Sequence, residues 1–527
     1  MTDAAQGGFG LLDWSLVIAC AAVLLGIGWY YARRQRTTEE YFVAGRNKRP
    51  FLAGVSLFAA LFTLVAYLGI PGEFVQNGPV LVVATVCVLP FTYVAVGWLL
   101  IPLIMRLPIT SAYELLEGRL GRSVRLMGSL TFVCIRLVWM ALILYAASTV
   151  LVNVMGCDRR WLHVFEAVIG AVATVYTVVG GIDAVMMTAA VEFFLLLLGA
   201  VLTLVSISVH MGGVGAWWPT QWPQHWAPQP FFSLDPHVRV TVVGTFVSYF
   251  ISMICSSGSD QVAIQRYLTT RDAAAARRAY LFGHLSIASV MILLGLVGAA
   301  RLGFFQHQAG GLSAGLALAR NGDGAFPYYI SHHLPAGISG LVVAGLLASA
   351  VSGVSPGINS VIAVLSRDVI DPMRSAGTAS ERTRMRTARL LSAVIGVVVI
   401  AGSLGMGQVR GNLIEVSAKT TNLFFYPMFG LFFMAMFVRF ATPLGAIAGA
   451  LYSMTAAILV GYWDVLTGHP RPSFQWIPPV ALATSLVAGC LFSLLPTRGR
   501  PPAVVAACAV AALAPLPLIV AWILSRA

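Results

Sequence analysis

The chain has 527 residues, 58% of them hydrophobic and 10% charged, with a mean hydropathy of +0.84; a soluble domain carries roughly 25% charged residues. That balance suits a lipid solvent and excludes an ordinary water-soluble domain. The formal net charge of +13 does not point to nucleic acid, because the Lys and Arg residues fall in short clusters between apolar runs rather than along one face.

The first apolar run, 11–32, has no basic leading region and no small-residue cleavage site, and Arg33, Arg34 and Arg36 follow it directly, so it is expected to stay as an anchor. Further runs of the roughly 20 residues needed to span ~30 Å of hydrocarbon lie at 50–77, 79–105, 124–153, 162–180, 185–211, 239–258, 279–305, 337–365, 388–409, 412–438, 442–466, 476–495 and 502–524. Together they predict fourteen crossings and an all-α integral membrane fold. With the N-terminus outside, 23 of the 33 basic residues fall in inner loops, which places both termini outside a plasma membrane. The longest polar segments, 211–238, 306–335 and 367–387, are too short for separate domains. The first of them carries Trp217, Trp218, Trp222 and Trp226, a composition suited to the headgroup layer.

Three apolar runs contain helix-breaking or hydroxyl-rich stretches: LGIPG at Leu68 to Gly72, CSSGSDQ at Cys255 to Gln261, and SAVSGVSPGINS at Ser349 to Ser360. A break at membrane depth frees carbonyls and amides that lipid cannot satisfy, so it must face protein or a cavity, and transporters build ion and solute sites there. The first two runs are five helices apart, the spacing of a five-plus-five inverted repeat. Kinked packing of small residues is the alternative. Arg136 lies mid-run, where a guanidinium is costly without a counter-charge. It is read as the partner of an anionic solute, as one half of an ion pair with Glu73, Glu192 or Asp260, or as a cation in place of sodium. Glu415 and Lys419, four residues apart, suggest a local salt bridge. Asp260 and Arg266 are expected to fix the inner end of their helix, and Asp13 to be interfacial.

Seven Cys without paired spacing imply no disulfide framework or zinc site. Nine scattered His give no metal-ligand spacing, and no nucleophile and base stand together, so an enzyme is not expected. The partners expected are a small-molecule solute and the lipid bilayer.

Six stretches occur in an order that resembles the sodium/solute symporter family: EEYFVAGR, ITSAYELLEGRLGRSVR from Ile109, YTVVGGIDAVMMTAAVE from Tyr176, SDQVAIQRYL from Ser259, PAGISGLVVAGLLASAVSGVSPGINSV from Pro335 and GLFFMAMFVRFATPLGA from Gly430. The resemblance covers about Thr38 to Leu466 and implies a leucine-transporter-type fold. It divides the chain into an extra helix and loop (1–49), a first five-helix repeat (50–211), an external Trp-rich loop (212–238), a second repeat (239–438) and extra C-terminal helices (439–527). It implies Na+ as coupling ion, no other cofactor, and sodium ligands at Ala59, Phe62, Ser349, Ser352 and Gly353. Two departures accompany it: Gly353 offers no side-chain oxygen to a hard cation, and Ala189 and Glu192 stand where the family has Asp and Gln. The polar pair of the family's sugar carriers falls on Val65 and Ala66 and their stacking tyrosine on Ser256, whereas sialic acid carriers use an Arg about one turn after Arg136, where Trp139 stands. Thr63, Tyr67, Arg136, Ser256 and Ser257 are the substrate-binding candidates. The resulting expectation is secondary active symport of a small organic anion such as a monocarboxylate. Proton-coupled or uncoupled transport, or a non-transporting sensor on the same scaffold, are the alternatives.

Overall fold

In hydrocarbon each backbone group must be bonded within its own segment, and every long regular element found in the chain is accordingly a helix. The computed structural model describes residues 9–32, 48–62, 64–106, 113–179, 182–220, 223, 226, 232–307, 322–370, 381–409, 411–496, 502–513 and 515. The helices are α1 (Leu11–Ala32), α2 (Pro50–Leu61), α3 (Leu64–Asn77), α4 (Val80–Met105), α5 (Glu114–Leu120), α6 (Arg122–Met155), α7 (Leu162–Val179), α8 (Ile182–Met211), α9 (Val242–Ser259), α10 (Gln261–Leu268), α11 (Ala273–His307), α12 (Gly322–His332), α13 (Ile338–Val364), α14 (Glu381–Met406), α15 (Leu413–Phe437), α16 (Pro443–Gly461), α17 (Ile477–Ser493) and α18 (Pro502–Leu513). Among the described residues eleven are long and apolar enough to cross a membrane, or twelve with α2 and α3 as one bent span. Fourteen crossings are not reached there, and residues 514 and 516–524 of the last expected run, 502–524, lie outside the described residues.

The bent pair is the centre of the molecule. α2 packs on α8 and α11, α3 on α11, α12 and α15, and α6 closes against α13 and α15. Outside this core, α16 and α17 pack where a Cβ added to Gly449 would fall 2.5 Å from the Ser485 carbonyl oxygen, the small-residue contact that lets helices approach in lipid. α1 is largely exposed, as a lipid-facing helix should be. It is fixed through Asp13, which is buried (2% exposed) and accepts hydrogen bonds from the Gly337 and Gly340 amides (both 2.8 Å) and the Ser339 hydroxyl (2.7 Å) at the start of α13. Asp13 is therefore a helix-terminus clamp rather than an interfacial residue.

Two of the three expected breaks lie elsewhere or are missing. LGIPG does not interrupt its helix: α3 runs through Pro71 to Asn77, and Gly72 meets the Gly322 backbone so closely that a Cβ would sit 2.7 Å from its carbonyl oxygen. The break falls earlier, where α2 ends at extended Phe62 (φ −110°, ψ 101°) and the axis turns by 64° into α3. The Ser349 to Ser360 stretch is likewise continuous within α13. The Ser355 hydroxyl there bonds back to the Val351 carbonyl (2.8 Å), as a helical serine does without breaking its helix. The CSSGSDQ break is present: α9 ends at Ser259, Asp260 is extended (φ −77°, ψ 118°) and α10 starts at Gln261.

Candidate functional site

Asp260 organises the second break. One carboxylate oxygen accepts the Val262 amide (2.9 Å) and caps α10; the other takes Nη2 of Arg136, projected inward from α6. Arg136 is 4% exposed, its guanidinium lies 5.6 Å from the Phe132 ring centroid, and its Nε has no hydrogen-bond partner among the described residues. Of the three carboxylates the sequence offered it, Asp260 is the partner. Glu73 and Glu192 belong to other clusters described below.

Arg266 does not pair with Asp260 as expected. Its Nε and Nη1 lie 3.4 Å from the Ser56 hydroxyl and the Val262 carbonyl. It remains in electrostatic reach of both Arg136 and Asp260 and is equally buried, at 2% exposed. Two guanidiniums thus share one carboxylate, leaving one uncompensated positive charge in a medium where a charge is expensive.

A cavity of about 160 Å³ opens onto Arg136 and Asp260 between the first break, α6, α9 and α15, with Ala60, Trp139, Ser256 and Tyr426 also in its wall. Of the other substrate candidates, Ser257 points away and shares a 3.1 Å hydrogen bond with the Tyr280 hydroxyl. Tyr67 donates to the Leu196 carbonyl (3.1 Å) and leans on Phe326, away from that wall. Thr63 lies outside the described residues.

A second cluster joins α2, α8 and α13. Ala59 and Phe62 are buried at the end of α2, and Ser349 and Ser352 project from buried positions on α13, one turn apart, with Gly353 beside them. The Ser352 hydroxyl donates to Oε2 of Glu192, which is 0% exposed. Oε1 of Glu192 and the Ser349 hydroxyl face each other's surroundings without a hydrogen-bond partner among the described residues. Buried oxygens left over in this way are the donor set a hard cation takes. The carboxylate thus enters from Glu192, one turn along α8 from Ala189. A Glu inside an apolar run was the signal available for it.

Ion pairs bind one set of helix ends. Glu73 on α3 accepts from Arg239 Nη2 (3.0 Å), Asn77 (3.0 Å) and Asn412 (2.7 Å). Glu415 on α15 takes Arg239 Nε (2.7 Å) and Arg471 Nη2 (3.0 Å), so both its oxygens serve arginines from distant segments rather than Lys419. Asp323 of α12 accepts the Leu413 amide (2.7 Å), and its burial, with Glu73 and Glu415 near, pushes its carboxyl up to about 6. At the other ends Asp368 is gripped by Arg125 (Nε, 3.0 Å) and Ser129. None of these long-range pairs has a sequence signature.

The family model described as "Sodium:solute symporter family" matches residues 41–453. The chain is 26% identical to the sodium/sialic acid symporter NanT of Aliivibrio fischeri (86% of this chain, 88% of that one) and 27% identical to the sodium-coupled monocarboxylate transporter 1 of Homo sapiens (86% and 74%). Its structure resembles that of a Na+-coupled sialic acid symporter in a substrate-bound outward-open state, with a TM-score of 0.74 and 25% identity over 92% of this chain and 98% of that one. A nucleobase-cation-symport-1 family transporter, at 14% identity and a TM-score of 0.51, shares the fold. A bent helix pair, a buried arginine site, a cluster of spare oxygens and a match over most of the length agree: the chain is a multi-pass sodium-coupled carrier, not an enzyme, and belongs to the sodium:solute symporter family.

Proposed function

We propose that the chain carries a compact organic anion, of the monocarboxylate class, together with sodium. The observation that supports this most is Arg136: a buried guanidinium on the cavity wall with Nε free of a partner among the described residues, in a trio with net positive charge. A carboxylate entering the cavity supplies both the missing acceptor and the missing negative charge. The small cavity favours a compact anion over a nine-carbon sugar acid: engineered cavities of about 150 Å³ accept benzene-sized guests. Sodium is assigned to Ala59, Phe62, Ser349 and Ser352, with Glu192 supplying what Gly353 lacks.

The breaks at Phe62 and Asp260 take corresponding places if 50–211 and 239–438 are inverted repeats, the arrangement that sets a site at the midplane and alternates access by rocking one bundle. On this reading the C-terminal helices bring the crossings to fourteen, with both termini outside. The test is uptake by the purified chain in liposomes under an inward sodium gradient. Monocarboxylate uptake is expected, falling at least tenfold in Arg136→Gln. Uptake of sialic acid with none of the monocarboxylates would overturn the solute class.

A further inference from the structure

A third buried guanidinium, Arg301, lies near the end of α11 nearer His307 and takes no part in the site above. Its side chain is 0% exposed, and Nε, Nη1 and Nη2 all lack a hydrogen-bond partner among the described residues. No ion pair neutralises it among them either. The carboxylate on the facing α12, Asp323, is turned to Leu413 and the Glu73–Glu415 cluster instead. Arginine does not shed its proton in proteins, so a full positive charge and its unmet donors are enclosed in the fold. Arg136, by contrast, has Asp260.

Aromatic rings and imidazoles, and among the described residues no carboxylate, surround Arg301. Its Cζ stands 4.9 Å from the Phe326 ring centroid, and Tyr329, one turn along α12, is in electrostatic reach. Phe304, one turn along α11, meets Tyr329 edge-on at 5.2 Å, His333 at 4.8 Å and His210 of α8 at 5.5 Å. The Phe326 face offsets part of the charge as a cation–π contact but accepts no hydrogen bond; His333, held away from protonation by burial beside His332 and His210, keeps one ring N–H that an anion can take.

We infer that Arg301 is the centre of a buried site for a small inorganic anion of the halide class, chloride under ordinary conditions, held between α8, α11 and α12. A monatomic anion satisfies the guanidinium without asking for donors in return. An organic acid would bring a carbon body that the packed rings must make room for. Its place would be to stabilise the packing of α12 on α11, away from the solute cavity, so the inference stands apart from the choice of solute.

The test is thermal unfolding of the purified full chain at constant sodium, with gluconate replaced stepwise by chloride or bromide. Binding to the native state alone raises the melting temperature with the logarithm of ligand concentration above Kd. A saturable rise of a few degrees is expected. Arg301→Met should lose it, while Arg136→Gln keeps it. No halide response in the unaltered chain, or an equal response in Arg301→Met, overturns the site. Should Arg301→Met fail to fold, bromide located by anomalous scattering in the unaltered chain decides: a peak beside the guanidinium supports the inference, and its absence there refutes it.

Discussion

Among the described residues Glu192 Oε1 and the Ser349 hydroxyl have no hydrogen-bond partner of normal length, and both Ser349 and Ser352 lie within reach of the Glu192 carboxylate. If sodium binds there, the negative charge of Glu192 matters more than its shape. Glu192→Gln keeps an acceptor for Ser352 but removes the charge, and should raise the apparent Kd for sodium roughly 10- to 100-fold, or about 1.4 to 2.8 kcal/mol. Sodium titration of the melting temperature measures this, and an unchanged response would remove Glu192 from the site. The sequence marked Glu192 as a departure from a pattern and as one possible partner of Arg136, but not as the partner of Ser352, which lies on α13, 160 positions away. Asp13 was opaque for the same reason: a lone acid at the mouth of an apolar run reads as interfacial, and the amides it caps are 324 and 327 positions distant. Asp13→Ala leaves those amides unsatisfied, while the Ser339 hydroxyl keeps the Pro335 carbonyl (3.3 Å), and should cost about 3 kcal/mol, seen as a lower melting temperature.

Individual helices were legible wherever apolar length decided them, and misread where a break had to be located. Pro71 and Gly72 looked like the interruption in their run. Pro at such a point in a membrane helix is tolerated when neighbours supply what the backbone loses, and Gly72 allows the Gly322 backbone that approach. The actual turn at Phe62 contains neither Gly nor Pro, so composition could not mark it. Asp260 was marked, because an acid after small residues is also a good N-cap. At one set of helix ends, the Glu73–Arg239–Glu415–Arg471 chain ties α3 to α15 and to the entry of α9. Glu73→Gln weakens one end of it. Amide hydrogen exchange at 239–245 and 411–416 should rise about tenfold, an opening free energy lower by about 1.4 kcal/mol, and unchanged protection would mean the chain of charges does not hold these ends. Asp323 adds a pH dependence. Its carboxyl at about 6 lies above the unfolded value near 3.9, so the native state binds the proton more tightly. The stabilisation is full below pH ~4 and is lost as pH rises through about 6. Asp323→Asn should flatten the stability profile between pH 4 and 7, followed by thermal unfolding at each pH.

Across the whole molecule the proposed sites differ in charge: Arg136, Arg266 and Asp260 carry one net positive charge, and Glu192, when ionised, carries one negative charge at the proposed sodium site. The empty site is then neutral as a unit. So is the site filled with one sodium and one singly charged acid. Membrane voltage acts only on net charge carried through its field, about 2.3 kcal/mol per elementary charge per 100 mV. A one-to-one carrier built this way would run on the sodium concentration ratio alone and ignore an imposed potential, while each additional sodium would make its turnover a current.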